Sequence, residues 1–288
     1  MKSVLHSPPA VETVIAPSGG WRFLDVHELW AYRDLLGLMV WRDLTSRYKQ
    51  TALGPLWFVV QPLITTVVFT VVFNQVARID LGQTPPTLFY LCGLLGWNYF
   101  AQTFQSTSVT LVNNAGLFGK VYFPRLIVPL SAVVSNLFAF AIQLVTFAVF
   151  YAGYKCSAAA GTFGAQWTIV LLPLLIVQVA ALSLGVGLWI AALTAKFRDF
   201  AILAAFLIQL WLYATPVIYP LAQIPAKWRG LVSLNPMTMP VEGFRAALLG
   251  TATPGAWLCA LSVALTLLVL VTGVLVFRKV EKNFVDVI

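Results

Sequence analysis

Long apolar stretches broken by brief polar punctuation dominate this chain. Six intervals carry no Asp, Glu, Lys or Arg: 50–77, 81–119, 126–154, 156–195, 200–226 and 246–277, each of 27 residues or more. A helix rises ~1.5 Å per residue, so ~20 apolar residues cross a ~30 Å hydrocarbon core. The intervals lack the period-2 alternation of barrel strands, which leaves helices as the way to satisfy the backbone in lipid. The pattern predicts an all-α integral membrane protein with six transmembrane helices, at 56–77, 87–112, 127–152, 168–193, 199–217 and 255–277. Before them, residues 27–49 predict an amphipathic helix lying in the interface plane. Leu29, Tyr32, Leu35, Leu36, Met39 and Val40 share one stripe, and Arg33, Asp34 and Gly37 lie off it. Trp30 and Trp41 fall outside the stripe, at headgroup level or against a partner protein.

The connections are as informative as the spans. The stretch from Asn113 to Arg125 is short and rich in turn residues, yet it holds Phe118, Tyr122 and Phe123. These aromatics either dip back into the bilayer or form a surface that docks into another protein. Thr194–Asp199 is a tight turn that places Lys196, Arg198 and Asp199 together. Residues 216–250 are apolar but chopped by Pro216, Pro220, Pro225, Pro236 and Pro240. That combination predicts short re-entrant or interfacial helices between spans five and six.

Composition agrees with the pattern. The 288 residues are 60% hydrophobic and 10% charged, against roughly 25% charged in ordinary soluble domains. Net charge is +8, and its distribution accounts for it without nucleic acid. With the N-terminus inside, cytoplasmic segments hold 13 of 18 basic residues, from Lys2 to Lys282. The outer side holds five: Arg78, Lys155, Lys227, Arg229 and Arg245. The positive-inside rule then puts both termini in the cytoplasm. Residues 1–26 are expected to be a flexible cytoplasmic tail and 27–288 a single permease domain. The three cysteines have no metal-ligand spacing, and the two histidines, His6 and His27, precede the spans, so no metal site is expected. The predicted spans carry no ionisable group of the kind that proton- and ion-coupled carriers use at membrane depth. Gly119–Lys120 resembles a fragment of a phosphate loop, but position 114 is Asn and Val121 follows the lysine. A transport protein without its own energy source is the reading left, with force supplied by a nucleotide-hydrolysing partner.

Five motifs in order then resemble a family. They are Trp41–Trp57, Lys120–Arg125 with Pro129, Lys196–Asp199, Ala214–Pro220, and Leu234–Met237 followed by Glu242–Arg245. Together they are similar to the type-2 ABC exporter permeases that move bacterial polysaccharides, from about residue 21 to the end. The resemblance implies a homodimer bound to two separate ABC ATPase subunits, which bind the ATP and Mg; no cofactor is implied in this chain. It implies export of a lipid-linked polysaccharide, most often O-antigen, across the bacterial inner membrane. It places ATPase coupling on Phe118, Gly119, Lys120, Tyr122, Phe123, Pro124 and Arg125, joined by Lys196, Arg198 and Asp199. It also makes 216–250 the outer gate and spans one and five the channel walls.

A channel for a processive sugar chain should grip weakly everywhere, and aromatic faces with scattered amides suit that. Span one offers Trp57, Phe58, Gln61 and Phe69, and span five offers Gln209, Trp211 and Tyr213 with Tyr219 beyond. Aromatics are also common at membrane interfaces, which is the alternative for these positions. A lipid pyrophosphate needs cations near the inner headgroups, where Arg42, Arg47 and Lys49 are placed. Plain positive-inside anchoring is the alternative there. Competing readings are an exporter permease for capsule, teichoic acid or another lipid or drug, a carrier working alone, and a membrane transferase acting on lipid-linked sugars.

Overall fold

Proline, glycine and polarity set the helix ends. The computed structural model describes residues 26–49, 51–118, 122–157 and 163–284, and every regular element among them is a helix. Residues 1–25 of the predicted 1–26 tail and the coupling residues Gly119 and Lys120 lie outside the described residues, and Val26 begins α1. The predicted 27–49 helix is two: α1 (Val26–Ala31) and α2 (Arg33–Tyr48), with a break at Tyr32. A 3-10 turn at Gly54–Leu56 leads into α3 (Trp57–Phe69), which widens into a π-helical stretch, Thr70–Val76. α4 (Pro86–Ser108) begins on a proline, whose missing N–H costs nothing at a first position. Two short turns, α5 (Thr110–Asn113) and α6 (Ala115–Phe118), precede α7 (Ile127–Cys156). α8 (Leu172–Lys196) follows a 3-10 start at Trp167–Leu171.

α9 (Phe200–Ala214) stops three residues short of the predicted span end. Thr215 precedes Pro216, which drives it to extended backbone at φ −104° and ψ 138°. A 3-10 turn (Leu221–Gln223), α10 (Ala226–Ser233) and α11 (Thr238–Leu249) then lead to α12 (Ala256–Phe284). Gly250 ends α11 in the left-handed region at φ 75°. A Cβ there would stand 2.6 Å from the Gly164 carbonyl oxygen, so glycine is required twice over.

Four segments are long and apolar enough to cross a bilayer by length and composition: Gly54–Val76, Ile127–Cys156, Trp167–Lys196 and Ala256–Glu281. The other two expected spans differ for separate reasons. α9 is apolar but has 15 residues. α4 has length enough, but carries Asn98, Gln102, Gln105 and several hydroxyls. Its position explains this: 16 of its 23 residues are buried, and α3, α7, α8, α9 and α11 all pack on it. A helix that meets protein on most sides tolerates polar groups that lipid would penalise.

α8 and α12 run side by side in one direction, with Gln178 donating to Ser262 (2.8 Å) and Gly185 reaching Leu270 and Gly273. A Cβ on Gly273 would lie 2.3 Å from the Gly185 carbonyl oxygen, so the two backbones touch. Arg125, just before α7, meets Glu281 near the end of α12: its backbone N–H donates to the carboxylate (3.4 Å), and its guanidinium donates to the Glu281 carbonyl. The 122–125 loop, the end of α8 and the end of α12 therefore share one end of the bundle. α10, α11 and the 78–85 turn occupy the other, where Gln223 donates to the Asp80 carbonyl.

Candidate functional site

α2 does not lie across the bundle end in a plane; it rises alongside α7. Ser131 donates to Asp43 (3.3 Å), and Arg47 donates to Asn136 (2.6 Å). Four residues along α2 thus match five along α7. Met39 joins a buried cluster with Phe123, Ile127 and Val128, and Leu29, Tyr32, Leu35 and Leu36 pack against it. The apolar stripe of the sequence therefore faces protein. Trp30 and Trp41, off the stripe, are exposed.

This arrangement carries Arg47 nine residues past the start of α7, ~14 Å along its axis. Its other bond goes to Ser106 of α4 (3.4 Å), and Asn136 donates in turn to Thr103 (3.3 Å). Arg42 is held by Asp43 through Nε (3.1 Å) and Nη2 (2.8 Å), and reaches Asn114 (3.3 Å). Arg42, Asp43 and Arg47 line one cavity of about 570 Å³, bounded by α2, α4, α5 and the start of α7. Ser106, Thr110 and Asn113 complete its polar wall. Lys49 is exposed and is not among the lining residues, so the three cations grouped by sequence separate into two and one. The predicted spans themselves carry no charge, and α2 sets Arg47 beside Asn136 of α7.

At the same bundle end, the coupling aromatics divide. Tyr122 is 76% exposed. Phe123 is 5% exposed, with Phe118 at 5.8 Å from its ring, and Arg125 covers Phe118 at 5.6 Å. Phe123 therefore anchors α2 to α7 and is unavailable as a contact for another protein. Pro124 accepts the N–H of Ile127 (3.0 Å) and starts α7. Lys196, Arg198 and Asp199 are exposed, beside a half-exposed Phe197.

α3 and α9 both pack on α4. Trp57 and Gln61 on α3, and Gln209 and Tyr213 on α9, are exposed. Four other channel candidates are committed within the bundle. Phe69 is buried against Phe73 and Tyr90. Trp211 donates to Asn235 (3.0 Å) with its ring against Phe100. Tyr219 donates to the Tyr213 carbonyl (3.0 Å), and Phe58 lines a small gap beside Pro62 and Gln143. Sequence reasoning missed a half-exposed row on α4 and the residue that caps it: Asn98, Gln102, Gln105 and Val109. Its spacing of four, three and four residues is the helical signal that reveals it.

It also missed Arg245. Counted as an outer-loop cation, this residue is fully buried on α11, ten of whose twelve residues are buried. It donates to Glu242 (2.9 Å) and to the carbonyls of Pro216 and Val217 (2.6 Å each), with Phe89 at 3.7 Å beneath the guanidinium. Gly93 makes room: a Cβ there would stand 2.7 Å from Nη2. The carbonyls of residues 216 and 217, just beyond the end of α9, are thus satisfied by α11.

Comparison with known proteins settles the family. A profile described as "ABC-2 type transporter" matches residues 34–249, from the start of α2 to the end of α11. The chain belongs to the ABC-2 type transporter family. It is 32% identical over 246 residues to the O-antigen export system permease protein RfbA of Myxococcus xanthus, covering 83% of this chain and 91% of that one. Two permease proteins of the same name from Klebsiella pneumoniae are 27% and 26% identical over 255 residues, 88% of this chain and 95% of theirs. An ABC-2 permease is the non-catalytic membrane component of its transporter, and ATP is hydrolysed by a separate subunit. Both the arginine-lined cavity and the Arg245 cluster fall inside the matched region.

Proposed function

We propose that this ABC-2 permease passes a lipid-linked O-antigen polysaccharide across the bacterial inner membrane, as a homodimer bound to two ATPase subunits that hold the ATP and Mg. The observation that carries the reading is likeness, over more than four-fifths of the chain, to proteins named for O-antigen export. The spans are α3, α4, α7, α8, α9 and α12, with both termini cytoplasmic. α4 is enclosed by its neighbours, and α9 is completed by the buried residues 215–218. α10 and α11 form the outer gate, re-entering against α4 and α8. The 13-to-5 bias of basic residues supports this orientation.

The exposed Trp57 and Gln61 of α3 and Gln209 and Tyr213 of α9 form the wall that the polymer passes. Such a wall offers a sugar chain flat apolar faces and single hydrogen bonds, without a deep seat that would stall it. Tyr122, Lys196, Arg198 and Asp199 share the cytoplasmic end and form the contact with the ATPase.

Purification in mild detergent tests the assembly. The wild-type chain should retain its ATPase in equal copies. Tyr122→Ala should reduce that retention or uncouple hydrolysis from export, with the chain's thermal stability unchanged. Phe123→Ala should instead lower stability by about 3–5 kcal/mol, the ordinary cost of emptying a buried aromatic site. Full coupling in Tyr122→Ala would remove the residue from the contact.

A further inference from the structure

We propose that Glu281, near the end of α12, is a positioning residue for energy coupling. It anchors the 122–125 loop on α12, so that this loop and the Lys196–Asp199 turn move as one body. The inference rests on the ATPase contact assigned to Tyr122 and that turn, and supplies the part that joins them.

The bonding between loop and helix is reciprocal. The Arg125 backbone N–H donates to the Glu281 carboxylate (3.4 Å), and the Arg125 guanidinium donates to the Glu281 carbonyl. That carbonyl lies in the last turn of α12, where helix carbonyls lack partners within the helix and the macrodipole favours a cation. Arg125 therefore caps α12, and Glu281 accepts an N–H from irregular backbone. The same guanidinium covers Phe118 (5.6 Å), whose ring lies 5.8 Å from that of Phe123. Arg125 is half-buried, whereas Tyr122, three residues before it, is exposed. The loop thus has an inner end fixed on α12 and an outer end open to a partner.

α12 is in turn locked to α8, which leads into the second contact. The two helices touch backbone to backbone at Gly185 and Gly273. One turn before Glu281, Phe277 is fully buried in a cluster with Leu188 and Ala191 of α8 and Leu126 of the loop's far side. α8 ends at Lys196, the first residue of the charged turn. A displacement of that turn is carried along α8 into α12, and from α12 into the loop. Apolar packing sets the separation of these segments without fixing their register. Directed hydrogen bonds fix it, and Glu281 and Arg125 supply them between α12 and the loop.

The test uses the full chain with its ATPase in proteoliposomes and reads two quantities: polymer moved per ATP hydrolysed, and hydrogen–deuterium exchange of the 122–128 peptide. Glu281→Ala should lose most of its polymer movement per ATP while retaining the ATPase. Exchange at the Arg125 amide should quicken by about tenfold, the scale of one hydrogen bond to a charged group. Glu281→Gln keeps an acceptor oxygen and should restore most of both. Lys279→Ala, an exposed cation on the same turn of α12, should change neither. A merely structural role would lower thermal stability and assembly without changing the ratio of polymer to ATP. If Glu281→Ala fails to assemble, Arg125→Gln removes only the guanidinium cap and should give a milder loss of the same ratio. Unchanged exchange in Glu281→Ala would overturn the anchor, and faster exchange with full polymer per ATP would overturn its part in coupling. Loss of ATPase retention would put Glu281 in the subunit contact itself and overturn the positioning role. Exchange is read from this chain's own amides, so it stands apart from the contact reading. Faster exchange in Glu281→Ala beside full coupling in Tyr122→Ala would remove the Tyr122 contact and leave the anchor in place.

Discussion

Arg245 shows how one side chain can hold a membrane fold at its weakest point. Pro216 follows the end of α9, and the carbonyls of residues 216 and 217, in the irregular stretch beyond the helix, cannot be left bare in a dry interior. Arg245 satisfies both, and Glu242 balances its charge. Arg245→Ala should destabilise the protein by about 3–5 kcal/mol, the range for removing one partner of a buried pair. Glu242→Gln should cost less, because its amide oxygen still accepts. Thermal unfolding in detergent measures both, and an unchanged midpoint in Arg245→Ala would refute the lock. The residue was invisible to a count of loop charges because the count assumes that connections face water. The usable signal was local: Glu and Arg three apart within an apolar helical stretch, following a proline that ends a helix. The channel aromatics teach the converse. Phe69 and Trp57 are alike as sequence, but Phe69 packs on Tyr90 while Trp57 is exposed, and ring count cannot tell them apart.

At the scale of elements, contact between backbones decides the packing. Lipid supplies no hydrophobic drive between helices, so close approach of small residues does that work. Gly273 touches Gly185, and adding even one methyl forces α8 and α12 apart. Gly273→Ala should cost about 1–3 kcal/mol, as overpacking does. Gly37→Ala on α2 meets nothing within 4 Å and should be neutral or slightly stabilising. A circular-dichroism melt of the two variants separates them; equal behaviour would mean that the α8–α12 contact is loose. Helix existence was readable from the charge-free intervals, and several ends from Pro86, Pro216 and Gly250. The direction of α2 was not. An amphipathic stripe states that one side is covered, and here the cover is Phe123, Ile127 and Val128 rather than lipid. α4 was legible as a helix, but its amides gained meaning only once α7 and α2 were seen beside it: Asn98 donates to Gln143, and Gln105 lines the arginine cavity.

As a whole, the molecule is a set of apolar helices around one half-polar helix, with most of its cations toward one end. On the proposed reading, force enters there through Tyr122 and the Lys196–Asp199 turn, and the polymer passes along α3 and α9. Nothing in the permease family's own chemistry hydrolyses a nucleotide, so movement of polymer must depend on the second subunit. The most direct measurement is polymer transport into sealed proteoliposomes holding this chain, with and without its ATPase. Accumulation should require both the ATPase and ATP, and be absent with the chain alone. Uphill movement of polymer by the chain alone would contradict the account.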